Sequence, residues 1–353
     1  MSSMKLRAVR RAHIEAFVLR SRVSRGWLSS LMLAVLALEL AGCASTPDAN
    51  MDRTVVVAGA SSGFGKGVAL ELADQRANLV LAARRTALLE ELARECEARG
   101  AKTLVVTTDV SDAEAVRRLA DAAIARFGSI DVWINVAGVG ALGRFEDVPL
   151  ADHERVVDVN LKGVINGSYY AMRRFREQGQ GTLINIASVA GRVPFPYYSS
   201  YVATKHAIVG LGGVLNQELR VNGEKNIHVS TINPFAADTP WFDHAANYSG
   251  HQPRTVMPDP PEKVVKAIVA ATVKPKPEIN VGYKANMAAA SHRIARRATE
   301  NINGSVFNKA MIEDSAPAEA TAGSLYEPMQ EGTTVDGNLR QRLAEGDLKK
   351  VDR

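Results

Sequence analysis

Between residues 54 and 281, short apolar runs alternate with longer amphipathic stretches. The runs at 54–57, 78–82, 103–107, 132–135, 182–187, 227–232 and 278–281 are rich in Val, Ile, Leu and Thr and almost free of charge. Runs this short and this continuously apolar suit strands buried on both faces, as in a parallel sheet. Between them, residues 86–99, 111–127, 150–178, 200–221 and 261–273 carry apolar positions at helical spacing, with a break expected near Asn160. A further helix begins near 67–72. Repeated strand–helix units require right-handed crossovers, so the pattern predicts a seven-stranded parallel sheet with helices on both faces. Residues 52–282 form one doubly wound α/β domain on this reading, with no repeat and no second domain.

The flanks differ in pattern. Residues 283–314 alternate apolar and basic positions (Met287, His292, Arg293, Ile294, Arg296, Arg297) and predict a helical extension of one or two helices. Its apolar side has three uses open to it: packing on the domain, covering a substrate mouth, or touching a membrane. Residues 315–353 are poor in large apolar side chains and rich in Ala, Gly, Pro and Thr, the composition of a disordered or loosely draped tail. Residues 1–50 open with a basic segment followed by the apolar run 31–38, shorter than the roughly 20 residues of a comfortable span. Two readings fit. Leu40-Ala41-Gly42-Cys43 looks like a bacterial lipoprotein signal box, which would anchor the protein to a membrane through lipid on Cys43. Alternatively, Met51 is the true start of a cytoplasmic enzyme.

Composition narrows the chemistry. The 353 residues are 46% hydrophobic and 23% charged, ample for one large core. The net charge of +5 is misplaced evidence for a polyanion partner, because all but one unit of it sits in residues 1–50. Nothing points to nucleic acid. The two cysteines, Cys43 and Cys96, cannot build a disulfide framework, and the seven histidines show no metal-ligand spacing.

The candidate chemistry begins at Gly59-Ala60-Ser61-Ser62-Gly63-Phe64-Gly65, between the first strand and the first helix. Glycines at 59, 63 and 65 allow φ > 0 and close backbone approach, and the helix N-terminus favours a pyrophosphate. The second strand ends in Ala83-Arg84-Arg85, where an NAD-selective site places a carboxylate. With Ala83 there instead, Arg84 can pair a 2′-phosphate, so NADP(H) is preferred over NAD(H); Arg85 reads as the opening of a surface helix. Ser188 follows the fifth strand, and Tyr201 and Lys205 share one helix face at i, i+4. A nearby ammonium is expected to lower the Tyr201 phenol from about 10 toward working pH, making it an acid/base. Lys205 also suits the ribose hydroxyls, and Ser188 a substrate oxygen that gains charge.

Taken in order, Gly59/Gly63/Gly65, Asp109, Asn135-Val136-Ala137-Gly138, Asn160, Ser188, Tyr201 and Lys205 make the chain resemble the short-chain dehydrogenase/reductase family, a single-domain Rossmann type. The resemblance implies that Asn160, Ser188, Tyr201 and Lys205 form a catalytic tetrad, with Asn160 holding a relay water; Asn160 could equally mark the helix break. It implies cofactor contacts from Gly59, Ser61, Ser62, Gly63, Phe64, Gly65, Asp109, Val110, Asn135, Ala137, Gly138, Pro234 and Thr239. Asp109 would bind adenine, act as a cap to the next helix, or both. Val136 and Phe235 depart from the family's usual Asn and Gly.

Aromatic side chains in 193–198 and 235–257, including Tyr197, Tyr198, Trp241, Phe242 and Tyr248, suit a lipophilic ketone, aldehyde or secondary alcohol. His244 and His251 are expected in solvent-exposed loops. The expected activity is hydride transfer between NADP(H) and such a substrate. A non-catalytic dinucleotide sensor and an epimerase or dehydratase of the same fold remain the alternatives. The resemblance also implies a homodimer or homotetramer.

Overall fold

The computed structural model describes residues 49–351, with side chains to residue 345; the leader and Cys43 lie outside the described residues. Strands β1 (Thr54–Ala58), β2 (Asn78–Ala83), β3 (Lys102–Thr107), β4 (Val132–Asn135), β6 (Gly181–Ile186), β7 (Ile227–Pro234) and β9 (Glu278–Val281) form one sheet in the order β3-β2-β1-β4-β6-β7-β9. Every pairing is parallel. The inner strands β1, β2, β4 and β6 are buried along their whole length, whereas the edge strands β3 and β9 are half-exposed. β5 (Ala141–Leu142) and β8 (Ala246–Asn247) pair separately beside the site.

Alternation along β1 assigns its side chains to two cores. Val55 and Val57 pack with α1 (Gly63–Ala73), α2 (Thr86–Ala98) and α8 (Pro261–Val273) through Leu72, Leu89 and Ile268. Val56 and Ala58 face the layer of α3 (Ala113–Phe127), α5 (Gly163–Gln178) and α6 (Ser199–Val221), with Trp133, Phe175 and Leu219. Chain order reverses between β1 and β4, whose ends pair Ala58 with Asn135. A crevice opens at that point of the carboxyl edge, where open α/β sheets take their ligands.

Several boundaries differ from the pattern reading. The first helix starts at Gly63, because the glycine turn itself provides its opening residues. The expected break near Asn160 is a π turn, Asp158–Lys162, joining α4 (Leu150–Val157) to α5. α3 is capped by Asp112, which accepts from the Glu114 N–H at 2.9 Å, so Asp109 is not its cap.

The extension folds as α9 (Gly282–Ile294) and α10 (Arg296–Asn308), closed by a second π turn, Lys309–Glu313. A short α7 (Trp241–His244) precedes it in the chain. The tail, expected to be disordered or loosely draped, is pinned. Leu325 is fully buried in the α3/α5/α6 core, and Leu339–Val351 forms α11. Its anchors are mostly backbone carbonyls, which composition does not reveal. No helix among the described residues is long and apolar enough to cross a membrane.

Candidate active site

The glycine turn closes on β4 in a way only glycine allows. Gly59 has φ +116°, and a Cβ there would lie 2.5 Å from the Ala137 nitrogen; one on Gly65 would collide with the Gly59 carbonyl. This packing sets the first turn of α1 against the crevice. Ser62, at its N-cap, makes no side-chain cap, and the Gly63 N–H donates to the Thr334 carbonyl at 2.9 Å. Gly59, Ser61, Ser62, Gly63 and Phe64 line the cleft, together with Arg84, Asp109, Val110, Ala137 and Gly138. Ser188, Tyr201, Lys205, Pro234 and Thr239 line it as well, Thr239 close against Gly63.

Three predicted residues do not line it. Gly65 acts underneath, by letting the turn fold. Asn135 points into the sheet: it donates to Asn185 Oδ1 at 2.8 Å and accepts from Trp133 Nε1 at 2.8 Å. The reading of Asn135 as a cofactor contact is therefore corrected to a tie between β4 and β6. Asn160 is fully buried, with its amide oxygen accepting from Val139 N–H at 2.8 Å and its nitrogen donating to Val139 O at 2.9 Å. It also donates to Thr204 Oγ1 at 3.3 Å. A methyl group added to Gly138 would sit 3.5 Å from Asn160 Oδ1 and 3.8 Å from Lys205 Nζ, so both flank one glycine. Asn160 thus fixes the backbone beside Lys205 from behind.

Tyr201 and Lys205 meet as the helix spacing predicts. Lys205 Nζ lies 5.4 Å from the Tyr201 ring centroid and donates to Ile186 O at 2.7 Å. The direction of the Tyr201 shift is the reverse of the expectation. Burial pushes the phenol up to about 12, and its hydrogen bond with Ser188 only partly offsets that. The same burial brings Lys205 down to about 8. Desolvation dominates for both groups, the buried Lys205 and the partly buried Tyr201, and the ammonium lies over the ring and on a carbonyl. The outcome is a phenol kept protonated beside a cation that is still charged at neutral pH.

At the adenosine end, Asp109 accepts from Ser111 and from Arg155 at 2.7 Å. Burial raises its carboxyl, but these bonds outweigh burial and hold it below the usual range. Arg155 was not singled out from sequence, since a lone arginine in an amphipathic helix has no distinguishing pattern. Arg85 opens α2 as its N-cap residue, as expected, and its guanidinium in addition donates to Ser61 Oγ at 3.0 Å and to Ser62 Oγ at 2.9 Å. Arg84 lines the cleft, yet it donates to the carbonyls of Ser324 (2.6 Å) and Tyr326 (2.7 Å). Burial lowers both guanidinium pKa values.

The substrate end is aromatic. Trp241 stacks on Tyr198 at 6.3 Å and lies 5.0 Å from Tyr201, while Phe307 of α10 meets Phe195 at 4.7 Å. The extension therefore covers the substrate mouth. Tyr197, at φ +68°, turns away and donates its hydroxyl to Asn308, and Tyr248 donates to Asp152; neither lines the cleft. His244 does line it and meets Glu331 O at 3.0 Å, contrary to its expected exposure. The side chain of His251 is partly buried. No group of metal-ligating side chains occurs among the described residues.

A dinucleotide crevice at the switch point, with serine, tyrosine and lysine gathered at one end, defines a nicotinamide-dependent oxidoreductase. The chain belongs to the short-chain dehydrogenase/reductase family, whose short chain dehydrogenase profile matches residues 53–248. It is 31% identical over 297 residues to the uncharacterized oxidoreductase YxnA of Bacillus subtilis, covering 82% of this chain and 83% of that one. It is 31% identical to the putative oxidoreductase SadH of Mycobacterium tuberculosis, covering 69% and 90%. Among solved structures it resembles a short-chain dehydrogenase from Streptomyces avermitilis (TM-score 0.62, 27% identity, 71% and 96% covered). It also resembles an alcohol dehydrogenase from Thermococcus sibiricus complexed with 5-hydroxy-NADP (TM-score 0.55, 26% identity, 65% and 95% covered).

Proposed function

We propose that the chain is an NADP(H)-dependent carbonyl reductase or alcohol dehydrogenase acting on lipophilic ketones, aldehydes and the corresponding alcohols. The observation that carries this reading is the group of Tyr201, Ser188 and the buried Lys205 opening onto the aromatic wall of Tyr198, Trp241, Phe195 and Phe307. Such a wall gains from burying apolar substrate surface and offers no partner to a charged one.

The adenosine end favours a 2′-phosphate. Ala83 supplies no carboxylate at the end of β2, and Arg85 with Ser61 and Ser62 gathers one cation and two hydroxyls. The preference assigned to Arg84 is therefore shared with Arg85: tail carbonyls hold both guanidinium groups, but Arg85 is also tied to the two hydroxyls of the glycine turn. The neighbour from Thermococcus sibiricus, complexed with an NADP analogue, is consistent with that choice.

The nicotinamide would supply the hydride for the carbonyl carbon. Ser188 positions the substrate oxygen by hydrogen bonding. Tyr201, kept neutral by burial, transfers its proton to that oxygen as charge builds there. Lys205 stabilises the phenolate left behind, an interaction strengthened by exclusion of water. In the oxidative direction the same proton returns to Tyr201.

Replacing Tyr201 by Phe keeps the ring packing against Trp241 and removes the proton. We expect kcat to fall by roughly 10²–10⁴-fold, with NADPH binding, followed by fluorescence titration, within a few-fold of the parent. Turnover at the parental rate would remove Tyr201 from the mechanism. Arg85→Ala should weaken NADPH by roughly 10- to 100-fold, the worth of charge-assisted hydrogen bonds, and leave NADH almost unchanged. Equal losses for both nucleotides would rule out a 2′-phosphate contact.

A further inference from the structure

The tail crosses the mouth of the cofactor crevice and is anchored on both sides of it. On the adenosine side, Leu325 is fully buried, its carbonyl accepts from Arg155 at 2.9 Å, and Arg84 holds the carbonyls of Ser324 and Tyr326. Arg85 then takes the Met329 carbonyl at 3.1 Å. Over the glycine turn, the Gly63 N–H donates to Thr334 O at 2.9 Å and Lys66 Nζ to Thr333 O at 3.2 Å. On the far side, the buried carboxylate of Asp238 accepts from the Leu339 and Arg340 N–H groups at 2.7 and 2.8 Å, next to Thr239.

The same stretch lines the cleft without filling it: Ser324, Pro328 and Met329 face inward, opposite Ser62, Thr108 and Asp109. We propose that residues 321–340 are the outer wall of the adenosine half of the dinucleotide site, a strap under which the cofactor lies. The inference rests on the chain binding NAD(P) and not on which substrate it takes. A strap tied at both ends narrows the exit for a bound adenosine, so that cofactor exchange is slowed until one anchor releases. Arg84 and Arg85, cations shared between tail carbonyls and the cleft, link the strap to the nucleotide: an anion bound beside them competes for or strengthens the same contacts. The enzyme should accordingly take up and lose its cofactor slowly.

The test is stopped-flow NADPH fluorescence on the full chain, the Leu325→Ser variant and the Asp238→Ala variant, which release opposite ends of the strap. Both variants are expected to raise association and dissociation rates at least tenfold together, leaving Kd within a few-fold. Hydrogen exchange on the unaltered protein gives a second readout that does not depend on the variants folding: saturating NADPH should slow the amides of Gly63, Leu339 and Arg340 at least tenfold. Unchanged rates with unchanged exchange overturn the strap while leaving dinucleotide binding intact. Faster association with unchanged dissociation also overturns it, since that marks a segment competing with the cofactor for the cleft. If no form of the protein binds NADPH or NADH, the dinucleotide reading itself fails, and the strap with it.

Discussion

Tyr201 and Lys205 are both taken out of water, and burial acts on them in opposite senses: the phenol rises to about 12 and the ammonium falls to about 8. At neutral pH this leaves a neutral acid and a charged neighbour, the pair that carbonyl reduction uses. Raising the pH does not deprotonate the phenol first; it removes the Lys205 proton. A neutral amine cannot stabilise the phenolate that forms as the proton leaves. Reductive kcat/KM should therefore be level on the acid side and decline above about pH 8, measured between about pH 6 and 10. A Lys205→Arg variant, whose charge persists across that range, should lose the decline even if its rate is low. An identical decline in that variant would place the titrating group elsewhere. The i, i+4 spacing of this pair was visible in the chain, but the sign of the tyrosine shift was not, because it depends on how completely α6 and α7 seal the cavity.

The strand–glycine turn–helix unit was the most legible element. β1 and β2 are buried on both faces, so their composition alone separates them from the amphipathic helices, and the glycine spacing locates the crevice mouth. Which side of a strand a residue faces was less visible. Asn135 shares a face with Trp133, two positions back, and both meet the α5 layer, so its side chain is taken up there and does not line the cleft. The pinned tail was illegible for a different reason: its partners at Arg84, Arg85, Lys66 and Gly63 bind carbonyls, which every residue possesses. At the turn itself, Gly59→Ala should cost about 2–5 kcal/mol, combining a glycine-only backbone conformation with overpacking against Ala137. Urea unfolding of the two proteins measures it. A loss below about 0.5 kcal/mol, the range of a neutral surface change, would mean that the turn relaxes and that its close approach to β4 is not required.

At the scale of the whole molecule, large apolar side chains remain exposed on the two long helices, α5 and α6, as they do on α9 and α10. Ile165 and Tyr169 lie four residues apart on α5 and are about half exposed; on α6, Val214 is about half exposed and Val221, seven residues on, largely so. Spacings of four and seven place each pair on one helix face. Four large side chains in water along the two long helices carry a cost that a second copy, presenting the same faces about a two-fold axis, removes symmetrically. We propose that the protein is at least a homodimer through α5 and α6, with the strap and the substrate mouth in each copy formed from its own chain. Charges placed on the faces should separate the copies, because burying them unpaired is unfavourable. Sedimentation equilibrium of the parent should give twice the chain mass or more, and Tyr169→Asp combined with Val214→Asp should bring it down to that of one chain. A monomeric parent, or a variant that stays assembled, would put the association surface elsewhere; and because no residue of the Tyr201 site lies on these faces, the separated variant should still bind NADPH.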